Sequence, residues 1–178
     1  MTNRFFIVLF LTISFAVNTH AQLVKISLTP EINFPTGNAA SLSGIGFGAS
    51  LKTEFNISDR YAITASGAYN LFITKNILGY RIENINAVPV KLGFKRYASP
   101  DFYLEGQAGA AFRVGSSSGT SFVWSPGFGT LIKTSGSGKL DFGLRYESWS
   151  NASYGSSAIV KTTSFNFIGL KLGYIFGL

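Results

Sequence analysis

The stretch "KLDFGLRYESW", residues 139–149, decides the fold. From Leu140 the even positions run Leu140, Phe142, Leu144 and Tyr146, while the odd positions run Asp141, Gly143, Arg145, Glu147 and Trp149. A period of two belongs to a β-strand, which sends alternate side chains to opposite faces. One face is therefore apolar and the other carries three charges. Which face is the inside depends on the rest of the chain.

The same alternation recurs on both sides until eight segments are covered. Val24, Ile26, Leu28, Ile32 and Phe34 alternate with Lys25, Ser27, Thr29, Glu31 and Asn33. Phe47, Leu51, Phe55 and Ile57 alternate with Gly46, Gly48, Ser50, Lys52 and Glu54. Tyr61, Ile63, Tyr69 and Leu71 face Ala62, Thr64, Ser66 and Asn70, and Val90, Leu92 and Phe94 face Lys91, Gly93 and Lys95. Phe102, Leu104 and Phe112 oppose Tyr103, Glu105, Gln107 and Arg113, and Phe122, Trp124, Phe128 and Ile132 oppose Ser125, Gly127, Gly129 and Lys133. Beyond the opening stretch, Ile168, Leu170, Leu172 and Tyr174 oppose Gly169, Lys171 and Gly173. Such segments exceed ordinary globular strands and suit tilted strands that cross a bilayer. Residues 58–60, 98–101 and 135–138 read as short turns, whereas 35–43, 75–83, 115–121 and 150–163 read as longer loops rich in Gly, Ser, Asn and Thr. Short turns on one rim and long loops on the other define an up-and-down barrel with its turns in the periplasm.

The N-terminus agrees with export. "MTNRFFIVLFLTISFAVNTHAQ" places Arg4 before an apolar run that falls short of a membrane span, then Thr19-His20-Ala21 as a cleavage pattern. We read residues 1–21 as a cleaved signal peptide and residues 22–178 as one barrel domain. The chain has no cysteine, and its one histidine, His20, leaves with the signal, so disulfides, thiol nucleophiles and histidine bases or ligands are excluded from the mature protein. Charged residues make up 13% of the chain, well under the roughly 25% of soluble domains. That shortage points to a large surface that does not meet water.

The charges then select the face. In a soluble sandwich they would lie outside, yet here the charged parity is otherwise filled by Gly, Ser and Ala. In a membrane barrel the apolar parity meets lipid and the charges face a narrow lumen. Arg96 departs from the parity two residues before a short turn, where the headgroup interface accepts it. The expected fold is all-β, an eight-stranded antiparallel up-and-down transmembrane β-barrel.

"VPVKLGFKRY" followed by "FYLEGQAGAAF" resembles the central hairpin of the small outer-membrane β-barrel domain proteins of Bacteroidetes-type bacteria. The resemblance spans the mature chain as a pattern of strands and glycines, with no catalytic signature. It implies residence in the outer membrane. Barrels of this kind often end on an aromatic residue, whereas this chain ends Phe176-Gly-Leu178.

The candidate site is a lumen charge network of Lys91, Lys95, Glu105, Arg113, Lys133, Asp141, Arg145, Glu147 and Lys171, in a bore that eight strands leave just wide enough for side chains. Symmetry about the short turns pairs Lys95 with Glu105 and Lys133 with Asp141. Bulky Tyr103, Trp149 and Phe167 are expected to point inward as a plug, beside small residues such as Gly127 and Gly129. Gly115-Ser116-Ser117-Ser118-Gly119 imitates a nucleophile motif, but no histidine is left to serve Ser117. Ser137-Gly138-Lys139 lacks the flanking residues of a phosphate loop. The net charge of +7 is spread by strand parity and forms no nucleic-acid patch. No catalytic, cofactor or metal residues are expected. The expected function is structural or accessory within an envelope assembly; a narrow passive pore is the alternative, and a lipid A-modifying enzyme a weaker one. Expected partners are outer-membrane lipid and lipopolysaccharide, the assembly machinery and a larger envelope complex.

Overall fold

The computed structural model describes residues 24–75, 83–115, 119–154 and 162–176. The segment 1–21 expected to be a signal peptide, Ser117 and the last two residues lie outside them. The strands are β1 (Val24–Thr36), β2 (Ser43–Ser58), β3 (Tyr61–Thr74), β4 (Ile85–Tyr97), β5 (Phe102–Val114), β6 (Gly119–Lys133), β7 (Lys139–Tyr154) and β8 (Thr162–Phe176). Each pairs antiparallel with its sequence neighbours, and β1 pairs with β8, so the sheet closes into a barrel. Closure leaves no strand edge, which a sheet surrounded by lipid requires.

The alternation resolves as the charges dictate. Leu92 is 66% exposed, and Leu28, Leu51, Val90, Phe122, Ile132 and Leu172 are each more than half exposed on the outer wall. Inside, Glu31, Lys52, Glu54, Lys91, Lys95, Glu105, Asp141, Arg145, Glu147 and Lys171 are all buried. The distribution inverts that of a soluble protein, because the solvent of the outer wall is hydrocarbon.

Two connections differ from expectation. Residues 35–43, read as a loop, hold a short helix, α1 (Asn38–Leu42), entered through Gly37 at φ 56°, a left-handed conformation that glycine adopts without penalty. Its Ala39 and Leu42 are buried in the mouth of the barrel. The second difference is register at the β6–β7 turn. Thr134 donates from both its backbone N–H and its hydroxyl to the Gly138 carbonyl, closing a five-residue loop. Lys133 consequently stands opposite Lys139, and Asp141 opposite Leu131, so the expected Lys133–Asp141 pair does not form. At the β4–β5 turn Lys95 does stand opposite Glu105.

Prolines mark interruptions in three ladders. Pro30 in β1, Pro89 in β4 and Pro126 in β6 each keep one neighbour in register, Ala49, Ala111 and Gly106 respectively. On their other sides the β1–β8, β3–β4 and β6–β7 pairings skip the proline position and resume beyond it. A proline has no N–H to give to that ladder.

Candidate functional site in the barrel lumen

The interior is built in layers. Nearest the short-turn rim, Glu54 accepts from Lys95, from the Tyr97 hydroxyl and from Lys25 at 3.0 Å. Tyr103, fully buried one layer in, donates its hydroxyl to Asp141. Gly129 makes room for that ring, since a β-carbon there would collide with it. Ammonium groups of Lys95, Lys171 and Lys52 stand 4.2, 5.4 and 5.8 Å from the centre of the Tyr103 ring, close enough for its negative face to attract them.

Glu105 is the next hub. It meets Lys52 at 3.2 Å and Lys171 at 3.4 Å, and accepts from the Thr64 hydroxyl at 2.9 Å. The same two lysines approach Asp141 at 3.6 and 4.0 Å. Above it Glu147 takes Lys91 at 2.5 Å, Arg145 Nε at 3.0 Å and the indole N–H of Trp149 at 2.7 Å. Arg145 spans to Glu31 at 2.7 Å, and Glu31 also accepts from the Ser50 hydroxyl at 2.8 Å. The buried charges are thus five acids (Glu31, Glu54, Glu105, Asp141, Glu147) and five bases (Lys52, Lys91, Lys95, Arg145, Lys171), a neutral set. Neutrality matters because an unpaired charge in such a space costs several kcal/mol.

Above the charges lies a layer of rings. Phe72 sits 5.6 Å from Trp149, 4.8 Å from Phe165 and 5.0 Å from Phe167, centroid to centroid, and all four are fully buried. A β-carbon on Gly46 would strike Phe72, so that glycine opens the space for the ring. Ala39 and Leu42 of α1 close the layer from above. Lys75 holds the helix by donating to the Ala40 carbonyl at 2.9 Å, while its backbone N–H donates to Leu42. Arg145 links the layers, its guanidinium carbon lying 5.7 Å from the Phe167 ring centre.

Of the nine residues expected in the network, Lys91, Lys95, Glu105, Asp141, Arg145, Glu147 and Lys171 are buried together in the lumen. Lys133 is exposed at the short-turn rim, a correction that follows from the register there, and Arg113 is half-buried at the long-loop end of β5. The hairpin register suggested pairing along the wall; Lys25 with Glu54 is such a pair, but most of the lumen ion pairs join strands that are not neighbours. Lys95 reaches Glu54 on β2, and Glu105 reaches Lys52 on β2 and Lys171 on β8. Glu31, Lys52 and Glu54 were visible as inward charges, yet their part as connecting members was not. Among the described residues no group of three His, Cys, Asp or Glu side chains could hold a metal ion. The space left among the charges is about 20 Å³, room for about one water molecule.

No family model matches the sequence, and no curated protein matches it. Solved structures do. The attachment invasion locus protein Ail of Yersinia pestis is 14% identical, with 88% of this chain aligned to the whole of that one at a TM-score of 0.56. Neisserial surface protein A is 14% identical over 87% of this chain and 97% of its own, with a TM-score of 0.55. OprG of Pseudomonas aeruginosa is 12% identical over 90% and 99%, with a TM-score of 0.50. At such identities the likeness is one of architecture: the chain folds as an eight-stranded outer-membrane β-barrel.

Proposed function

We propose that the protein is an integral outer-membrane barrel with a structural or accessory role in an envelope assembly, neither an enzyme nor an open pore. The filled bore carries this reading. Among the described residues ten paired charges occupy its lower part and four rings and α1 its upper part, and the cavity among the charges, about 20 Å³, is too small for a hydrated solute. Planar-bilayer recordings should therefore show no steady conductance, or only small infrequent events. A stable, large conductance that disappears in Gly127→Leu would make transport the function.

The proposed partners are outer-membrane lipid and lipopolysaccharide, the assembly machinery and a larger envelope complex. The resemblance to Bacteroidetes-type barrels supports a host envelope of that kind. Affinity isolation of the tagged protein from native outer membranes identifies the complex, and recovery of the barrel alone under mild detergent would count against an accessory role. An intact mass beginning at Gln22 would agree with removal of residues 1–21 as a signal.

A further inference from the structure

Arg96 is the one charge that the described strands carry on the lipid-facing parity. It is exposed, its register partners are Tyr61 on β3 and Leu104 on β5, and it has no carboxylate partner among the described residues. On the neighbouring wall of β5, β6 and β7 runs an apolar groove of about 100 Å³, walled by Phe102, Phe128, Phe142 and Leu144 with Thr130 at its edge. The groove begins one strand away from the arginine, beyond Leu104. Leu104, opposite Arg96, is two residues from Phe102 and pairs with Phe128, and Phe128 pairs in turn with Leu144, so each step leads one strand farther from the charge.

We propose that Arg96 and this groove form a binding site for an anionic phospholipid of the periplasmic leaflet, the phosphate on the guanidinium and one acyl chain along Phe102, Phe128 and Leu144. The proposal rests on the outer-membrane reading above. Arg96 belongs to the rim of short turns, which faces the periplasm in such barrels. A planar guanidinium matches a phosphate in two-point hydrogen bonding. With no acid to neutralise it, Arg96 leaves a net positive charge at headgroup depth, which favours phosphatidylglycerol over a zwitterionic lipid of the same chains. The groove supplies what a bare rim charge lacks, a defined path for the chain.

The test is native mass spectrometry of the folded full-length barrel released from detergent with phosphatidylglycerol or phosphatidylcholine of matched chains. Wild type should retain one phosphatidylglycerol in preference to phosphatidylcholine. Arg96→Gln should lower that retention about fivefold, the value of roughly one interfacial cationic contact. Arg96→Lys should keep part of it, Thr130→Phe should reduce both lipids by obstructing the groove, and Lys139→Gln, at the same rim, should change nothing. Equal retention by Arg96→Gln and wild type overturns the site, and so does an equal loss in Lys139→Gln, which would mean diffuse rim charge. Heat-shifted migration in SDS reports the barrel separately, so its absence in wild type would count against the outer-membrane reading and not against Arg96.

Discussion

The two ends of the bore obey opposite rules. Toward the short turns the apolar side chains point out and the charges point in, as in β7 where Phe142 and Leu144 flank Asp141 and Arg145. Toward the long loops the pattern reverses along β7 and β8, while β5 and β6 still turn Phe112, Phe122 and Trp124 outward. Trp149, Phe165 and Phe167 point in, while Ser148, Ser150, Ser164 and Asn166 take the outward positions of the same strands. Strands of 13–16 residues exceed the 9–11 or so that span a bilayer, and at the long-loop end their inward positions carry a packed apolar layer. One chain thus holds its lower part by charge pairing and its upper part by ring packing, and the two should fail differently.

The largest effect is expected in the charged layer. Glu147→Leu strips Lys91 of its 2.5 Å partner and leaves the Trp149 N–H unpaired, which should cost about 3–5 kcal/mol in urea unfolding from lipid vesicles. Adding Lys91→Met should recover most of that loss, because removing both members of a buried pair is far milder than removing one. A Glu147→Leu barrel as stable as wild type would erase the distinction between the layers.

The ring layer should yield more gradually. Phe72→Ala should cost about 3 kcal/mol in the same measurement, with Phe72→Leu costing about 1, since the loss follows the volume removed. A jump to complete unfolding with Phe72→Leu would show that the rings are as unforgiving as the charges. The smallest effect is expected at Lys133. Exposed at the rim and facing Lys139, it should tolerate Lys133→Gln within about 0.5 kcal/mol, and a larger loss would restore it to the network.

These same residues explain what the sequence made legible. Face assignment was readable because charges are scarce and all but Arg96 keep one parity through the strands. Partners were not, because parity gives the face of a strand and says nothing about which side chains meet across a closed bore; Lys95 with Glu54 could not be found that way. Lys133 misled because alternation continues past the last paired layer and does not mark where a turn closes. Trp149, Tyr103 and Phe167 were readable as bulky inward groups. Phe72 was hidden between Leu71 and Ile73, where both parities are apolar, and α1 was hidden because five residues are too few to display a helical period.

The three prolines give the wall an uneven stiffness. Pro30, Pro89 and Pro126 break the β1–β8, β3–β4 and β6–β7 ladders partway along their length, while pairing continues unbroken toward both rims. These interruptions fall on three well-spaced seams around the circumference. The wall is therefore weakest in hydrogen bonds at mid-height along these three seams and best held at both rims. Amides bordering the three seams should therefore exchange their hydrogens before those of the unbroken ladders, which hydrogen-exchange measurement in lipid would show.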